Sequence, residues 1–259
     1  MDMGHKGQSI CHINGIRFIN DICLVILRKG FMRKVNTAII CSAGRGSRLG
    51  HTIPKACVEI GGKSLIQWQL EALEDFKHVV FVVGYRRNYV IDEILTHRNN
   101  VTIVINHEWE TTNPAYSLSM ACELFDETVL TIDGDTLFRK RDVEKMIQHE
   151  KAIGVTSPMS DEGVFVDTDA NNIVKEFTRE RNSGLEWSGM SIMPSNIYHG
   201  RQNCYVYEII EKISSVYAQH IDLIEVDTPN DLERARQWIK KEQYIRAIPF
   251  VKLANIPNS

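Results

Sequence analysis

The chain has 259 residues, 43% of them hydrophobic and 24% charged, with a formal net charge of −3. That length and composition allow a sizeable core, in one large domain or two small ones. The near balance of charge excludes a general electrostatic pull toward nucleic acid or an anionic membrane, so any anion has to be gathered by a local cluster.

Residues 1–31 differ in texture from the rest. Their one apolar run, ICLVIL at 22–27, is far too short to span a bilayer, and the stretch makes a poor signal peptide. Met32-Arg33-Lys34 stands just before the first clear strand and suits a natural start, so 1–31 reads as an upstream extension outside the fold. The apolar run 35–41 (VNTAIIC) is followed by a glycine-rich basic loop, 42–55 (SAGRGSRLGHTIPK). Residues 64–76 carry apolar side chains at helical spacing, and 78–84 (HVVFVVG) form a second β-branched run. Next come a helix over 88–97, a strand over 101–106, and a helix over 114–125 opened by a proline. The strand 128–135 (TVLTIDGD) ends in two aspartates and precedes a helix over 141–150. Strands alternating with helices of these lengths predict an α/β fold, a parallel sheet between two helical layers.

The middle of the chain changes character. Residues 152–158, 163–169, 171–178 and 185–193 are strand-like runs joined by turn residues, which predicts hairpins added to the main sheet. The pattern then returns to helix (205–217), strand (220–226) and a strongly periodic amphipathic helix (229–243). Six cysteines, at 11, 23, 41, 57, 122 and 204, form no Cys-x-x-Cys pair and read as reduced thiols of a cytoplasmic protein.

The loop at 42–55 follows the first strand, at the carboxyl edge where open α/β sheets bind ligands. Gly44 and Gly46 let successive backbone N–H groups approach phosphate oxygens, while Arg48 and Lys55 add neutralising charge. Of two better-known phosphate motifs, the P-loop fails and the dinucleotide fingerprint is weakened. The GGKS at 61–64 would need the first glycine of a P-loop at Cys57, and a dinucleotide fingerprint would need a small residue at Leu49. Asp133 and Asp135 end a strand opposite this loop, and Asp227 sits at another strand end before a proline-initiated helix. Such carboxylates are hard oxygen ligands suited to Mg²⁺, whereas their bland alternative is turn and helix capping. For Asp227 that cap is also available from Thr228.

Gly44-Arg45-Gly46-Ser47-Arg48 with Pro54-Lys55, followed by VEIGGKSLIQWQLEAL, resembles the sugar-phosphate and alcohol-phosphate nucleotidyltransferases. Ser64 stands where that family usually has proline, a conservative change because serine caps helices well. The resemblance implies a three-layer, Rossmann-like fold with a mostly parallel mixed sheet and an inserted β-rich lobe on the acceptor side. It implies one domain over 32–246, with nucleotide binding in 32–150, acceptor-side hairpins at about 151–200, and a tail over 247–259.

It also implies site residues. Ser42, Ala43, Gly44, Arg45, Gly46 and Ser47 would contact the nucleotide, with Arg48 and Lys55 catalytic on its β- and γ-phosphates. Asp135 and Asp227 would bind Mg²⁺, with Asp133 behind them. The segment TTNPAYSLSMA resembles an element beside the base in bacterial phosphocholine cytidylyltransferases, which makes Asn113, Ser117 and the turn at Gly84 base-side candidates. EWSGMSIM resembles an acceptor-side strand of the same group, where Trp187 with Tyr85 or Tyr116 would present aromatic faces to an ammonium. The implied reaction transfers CMP from CTP to a small phosphorylated alcohol or phosphonate, of the kind that feeds cell-surface polysaccharide or phospholipid synthesis. A sugar 1-phosphate is the alternative acceptor. A DxD glycosyltransferase would leave Arg48 and Lys55 with no triphosphate to hold, and a silent nucleotide-binding subunit would have lost a metal aspartate or the lysine.

Overall fold

A computed structural model describes residues 12–13, 16–19, 22–24, 35–50, 53–159, 163–201 and 204–247, with side chains from 35 to 241. The chain divides into two compact units, Met1–Arg33 and Lys34–Ser259. In the first, strands Ile16–Ile19 and Ile22–Leu24 pair antiparallel, as do His12–Ile13 and Ile16–Ile19. The expectation that 1–31 is an extension falls largely outside the described residues, and the tail after Ala247 lies wholly outside them.

The second unit opens with β1 (Thr37–Ser42), the short hairpin of β2 (Glu59–Ile60) and β3 (Lys63–Ser64), and α1 (Leu65–Ala72). Ser64 caps α1 by accepting a hydrogen bond from Gln67 N at 3.0 Å. Then follow β4 (His78–Val83), α2 (Arg87–His97), β5 (Thr102–Ile105), α3 (Pro114–Cys122), β6 (Thr128–Asp133), β7 (Thr136–Leu137) and α4 (Lys140–Met146). The middle supplies β8 (Ala152–Thr156), β9 (Phe165–Thr168), β10 (Val174–Thr178) and β11 (Glu186–Pro194). The chain closes with α5 (Val206–Ile210), β12 (Tyr217–His220), β13 (Ile224–Glu225) and α6 (Pro229–Ala247).

The main sheet runs β10-β9-β11-β6-β1-β4-β5, with β8 joining β11 and β12 joining β8. Its centre is parallel: β1 pairs in parallel with β4 and β6, and β4 with β5. β11 runs antiparallel to β6, and the β9–β10 hairpin attaches to the start of β11 through Phe165 opposite Glu186.

Strand periodicity explains the layers. Along β1, Ala38 and Ile40 face one core with Ile66, Leu70, Val90, Ile94 and Val143 from α1, α2 and α4. Ile39 faces the other, with Ala115, Leu118 and Cys122 from α3 and Ile209 and Ile210 from α5. Each aliphatic side chain so buried stabilises by about 1.5–3 kcal/mol. A third, smaller cluster joins Leu49 of the basic loop, Val58, Ile60, Leu137 and Val226 to Leu232, Ala235 and Ile239 of α6. That cluster seats the C-terminal helix beside the loop.

Two sequence expectations fail at the end of the chain. The helix expected over 205–217 is only Val206–Ile210, because the chain leaves helical geometry before Ser215, whose φ is 59°. The strand expected over 220–226 is two separate strands, β12 in the main sheet and β13 paired with β7. The helices over 64–76 and 141–150 also stop early, at Ala72 and Met146.

Candidate functional site

From β1 the chain passes to β4 and β5 on one side and then returns to place β6 on the other. At such a reversal of strand order the following loops diverge and leave a crevice at the strands' carboxyl ends. The basic loop leaves β1 there, and the turn Asp133-Gly134-Asp135 leaves β6 beside it. The two strand ends are in close contact. Gly134 N donates to Cys41 O at 3.0 Å, and a Cβ on Gly134 would lie 2.3 Å from Ser42 Oγ and 2.5 Å from Cys41 O. Gly46, at φ +63°, lets the loop fold over the stem of Lys55, whose Cβ would sit 2.7 Å from a Cβ added at Gly46.

Charge converges in this crevice from three segments. Lys55 is 10% exposed and donates from Nζ to Asp135 Oδ2 at 2.8 Å and to Asp227 Oδ1. Arg48 is largely exposed and pairs with the other oxygen of Asp227. Burial alone would lower the Lys55 pKa, but the charges of Asp135 and Asp227 outweigh it and hold the ammonium form more firmly than usual. Burial likewise opposes the charge on Asp227, and its hydrogen bond with Glu225 and the nearby Lys55 and Arg48 overcome that and lower its pKa.

Asp227 is available because α6 is capped by other groups. Asp231 Oδ2 accepts from Thr228 N and from Thr228 Oγ1, both at 2.8 Å, while Asp231 N donates to Thr228 Oγ1 at 3.3 Å. Thr228 takes the capping role, and Asp227 faces the crevice.

Among the described residues, Asp135, Glu225 and Asp227 each offer a carboxylate oxygen, and these oxygens lie within 4.8 Å of one another. Glu225 was not anticipated. Its signal is the spacing Glu-x-Asp, which puts both acids on one side of an extended segment, but reading 220–226 as one core strand concealed it. Burial, then the charges of Asp135 and Asp227, push Glu225 up to about 9. Asp133 stands outside this trio, pushed up to about 8 by burial and then by Asp135. Its carboxylate packs against Gly189 of β11, where an added Cβ would fall 2.3 Å from Asp133 Oδ2.

Two cavities open from these residues. The first, about 370 Å³, is lined by Ser42, Ala43, Gly44, Gly46, Ser47, Arg48, Lys55, Asn113, Ser117, Asp133, Asp135 and Asp227, together with the unanticipated Trp109 and Thr112. Ser117 Oγ accepts from Asn106 Nδ2 at 2.9 Å, so its own proton remains to be donated. Ser42 Oγ is buried at the cavity and finds no hydrogen-bond partner among the described residues. Arg45 and Gly84 are not part of this lining. Arg45 lies 5.7 Å from the centre of the Tyr85 ring, and Gly84 abuts Trp109 and Ala43 O.

The second cavity, about 670 Å³, shares Arg48, Asp133, Asp135 and Asp227 with the first and adds Glu186, Trp187, Arg179, Tyr205 and Tyr207. Trp187 does not meet Tyr85 or Tyr116 there. Tyr85 packs edge-on against Trp109, 5.2 Å away, and Tyr116 on α3 lines neither cavity. Trp187 instead stands 6.0 Å from Phe177, which leads to Tyr207 and Tyr205, with Arg179 over both tyrosine rings. This cluster unites β10, β11 and α5, and no local spacing announces it. Among the described residues no helix is long and apolar enough to cross a membrane.

The chain is similar to several known proteins. A family model described as a MobA-like NTP transferase domain matches residues 38–220. The bifunctional protein GlmU of Methanocaldococcus jannaschii is 27% identical over 181 residues, 68% of this chain and 42% of that protein. The UTP–glucose-1-phosphate uridylyltransferase AglF of Haloferax volcanii is 27% identical over 235 residues, 79% of this chain and 97% of that one. The CMP-5'-(3-aminopropyl)phosphonate synthase of Streptomyces rubellomurinus is 28% identical over 156 residues, 56% of this chain and 24% of that one. The chain thus spans less than half the length of the first and third of these relatives. Among solved structures, the CTP:phosphocholine cytidylyltransferase LicC of Streptococcus pneumoniae superposes with a TM-score of 0.67 at 20% identity, covering 79% of this chain and all of that one. The fold is therefore the Rossmann-like nucleotidyltransferase fold, and the chain belongs to the MobA-like NTP transferase family.

Proposed function

We propose that this chain transfers CMP from CTP to a small phosphorylated alcohol or phosphonate, with Mg²⁺, and releases pyrophosphate. The observation that carries the reading is the meeting of three acidic oxygens with Lys55 and Arg48 where the two cavities join. The donor set suits the metal: Asp135, Glu225 and Asp227 offer hard carboxylate oxygens that lie within 4.8 Å of one another. Bound there, Mg²⁺ would neutralise charge between the α-phosphate and the incoming phosphate.

The protein's own groups account for the remainder. Loop amides at 43–47 and the hydroxyl of Ser42 would meet the phosphates, with Arg48 and Lys55 stabilising the leaving pyrophosphate. An oxygen of the acceptor's phosphate or phosphonate bonds to the α-phosphorus as the α–β bridging bond breaks, so the main task is in-line positioning of two anions. The acceptor is already ionised and needs no general base. Asn113 and Ser117 line the side of the first cavity assigned to the base, while Trp187, Tyr205, Tyr207 and the carboxylate of Glu186 form the acceptor side. Aromatic faces with one buried carboxylate suit an acceptor carrying an ammonium group. An amine-bearing phosphonate also appears in the name of the relative CMP-5'-(3-aminopropyl)phosphonate synthase.

A sugar 1-phosphate acceptor is favoured by one observation, the near full-length match to the uridylyltransferase AglF. Pyrophosphate release decides between the readings when each nucleoside triphosphate is paired with phosphocholine, phosphoethanolamine, 2-aminoethylphosphonate or glucose 1-phosphate. The expected outcome is release with CTP and an amine-bearing acceptor. Release only with UTP and glucose 1-phosphate would replace the proposal by its alternative, and release with no pair would refute both.

A further inference from the structure

Gln69 has no part in the reading so far. It lies on α1, wholly buried at 0% exposure, and reaches the turn that follows β6. Its Nε2 donates to Gly134 O at 3.3 Å and to Thr136 O at 3.0 Å, the carbonyls on either side of Asp135. The carbonyl of Asp135 itself accepts from Val226 N at 2.9 Å, between Glu225 and Asp227. Thr136 Oγ1 closes the turn onto Asp133 O at 2.7 Å.

Three successive carbonyls are therefore held, one by the segment bearing the other two acids and two by a single side chain. A primary amide has two N–H donors, and Gln69 directs both at this turn. Its Oε1 meanwhile is buried and finds no partner among the described residues. A leucine or methionine would fill the same space without an unpaired buried oxygen, so packing alone does not explain a glutamine here. Among the described residues, its hydrogen bonds go to this turn.

We propose that Gln69 is a positioning residue for the metal centre: its amide locks the Asp133–Thr136 turn so that the Asp135 carboxylate stands within bridging distance of Glu225 and Asp227. The inference rests on the metal reading given above. Groups one layer behind metal ligands typically change metal affinity by about 10–100-fold when removed.

The test uses the whole protein and Mn²⁺ without nucleotide, with free ion counted by electron paramagnetic resonance and folding checked by thermal melting. Q69M keeps the volume and deletes both donors, and it should weaken Mn²⁺ binding about 10-fold or more. Q69E keeps the shape and, protonated in its buried place, one donor, so its affinity should fall between the two. With Mg²⁺ and substrates, kcat should drop in the same order while the KM for CTP stays near that of the wild type. A folded Q69M with wild-type Mn²⁺ affinity overturns the inference. If Q69M does not fold, Q69E carries the test, and wild-type affinity there overturns it equally. D135N separates the two levels. Unchanged Mn²⁺ binding in D135N refutes the metal reading and this inference with it, whereas lost binding in D135N beside intact binding in Q69M refutes the role of Gln69 alone.

Discussion

The two cavities share Arg48, Asp133, Asp135 and Asp227, yet their remaining walls are built by different means. On the loop side the wall starts from backbone, a glycine loop folded over Lys55 and strand ends so close that Gly134 admits no side chain, and continues through Trp109, Thr112, Asn113 and Ser117. On the hairpin side the wall is made of side chains, with Trp187, Tyr205, Tyr207 and Arg179 brought together from β10, β11 and α5. Backbone geometry serves a group common to all substrates of a class, such as a triphosphate. Side chains on hairpins can be exchanged without disturbing the sheet, which suits the part of a site that selects an acceptor.

If that division holds, damage to the loop side should abolish turnover and damage to the hairpin side should alter preference. The largest effect is expected from D227A, which removes one of the three clustered carboxylates and leaves Lys55 and Arg48 without a shared partner. Pyrophosphate release should fall by about 10³-fold or more, in line with losses seen when a preorganised charge is removed. G134A should come next. Its Cβ would collide with Ser42 Oγ and Cys41 O, costing roughly 1–3 kcal/mol of stability, readable as a lower urea midpoint. A W187A variant should raise the acceptor KM by about 10-fold through lost aromatic contact, with the CTP KM unchanged; a matching rise for CTP would erase the proposed division. Y116F should do least, with stability within about 0.5 kcal/mol and unaltered kinetics, because Tyr116 lines neither cavity.

The same contrast explains what could be read from sequence. The basic loop and the TIDGD strand end are continuous stretches whose chemistry depends on neighbours in the chain, and the structure brings Arg48, Lys55, Asp135 and Asp227 together. The layered sheet was legible for the same reason, since β-branched runs alternate with helical spacing through 150. Glu225 was missed because pairing with β7, not the main sheet, splits 217–226 into two strands, and no local pattern records a pairing with residues 136–137. Trp187 meets neither Tyr85 nor Tyr116, because its aromatic neighbours come from the β9–β10 hairpin and α5, which no local spacing joins. Gln69 looked like one more residue of an amphipathic helix, since its importance lies in two carbonyls more than sixty residues away.

The pairing of Lys55 with Asp227 spans 172 residues of sequence. Proteins are made from the amino terminus, and their early parts can begin to fold during synthesis. The central strands β1, β4, β5 and β6 are therefore made before the acids at 225 and 227 and the helix that seats them. A nascent chain in that condition has the glycine loop and Asp135 but only one of the three clustered carboxylates. Completion of the acidic trio coincides with docking of α6 through Val226, Leu232 and Ile239, so a segment made well after the glycine loop is the one that makes the crevice electrically whole.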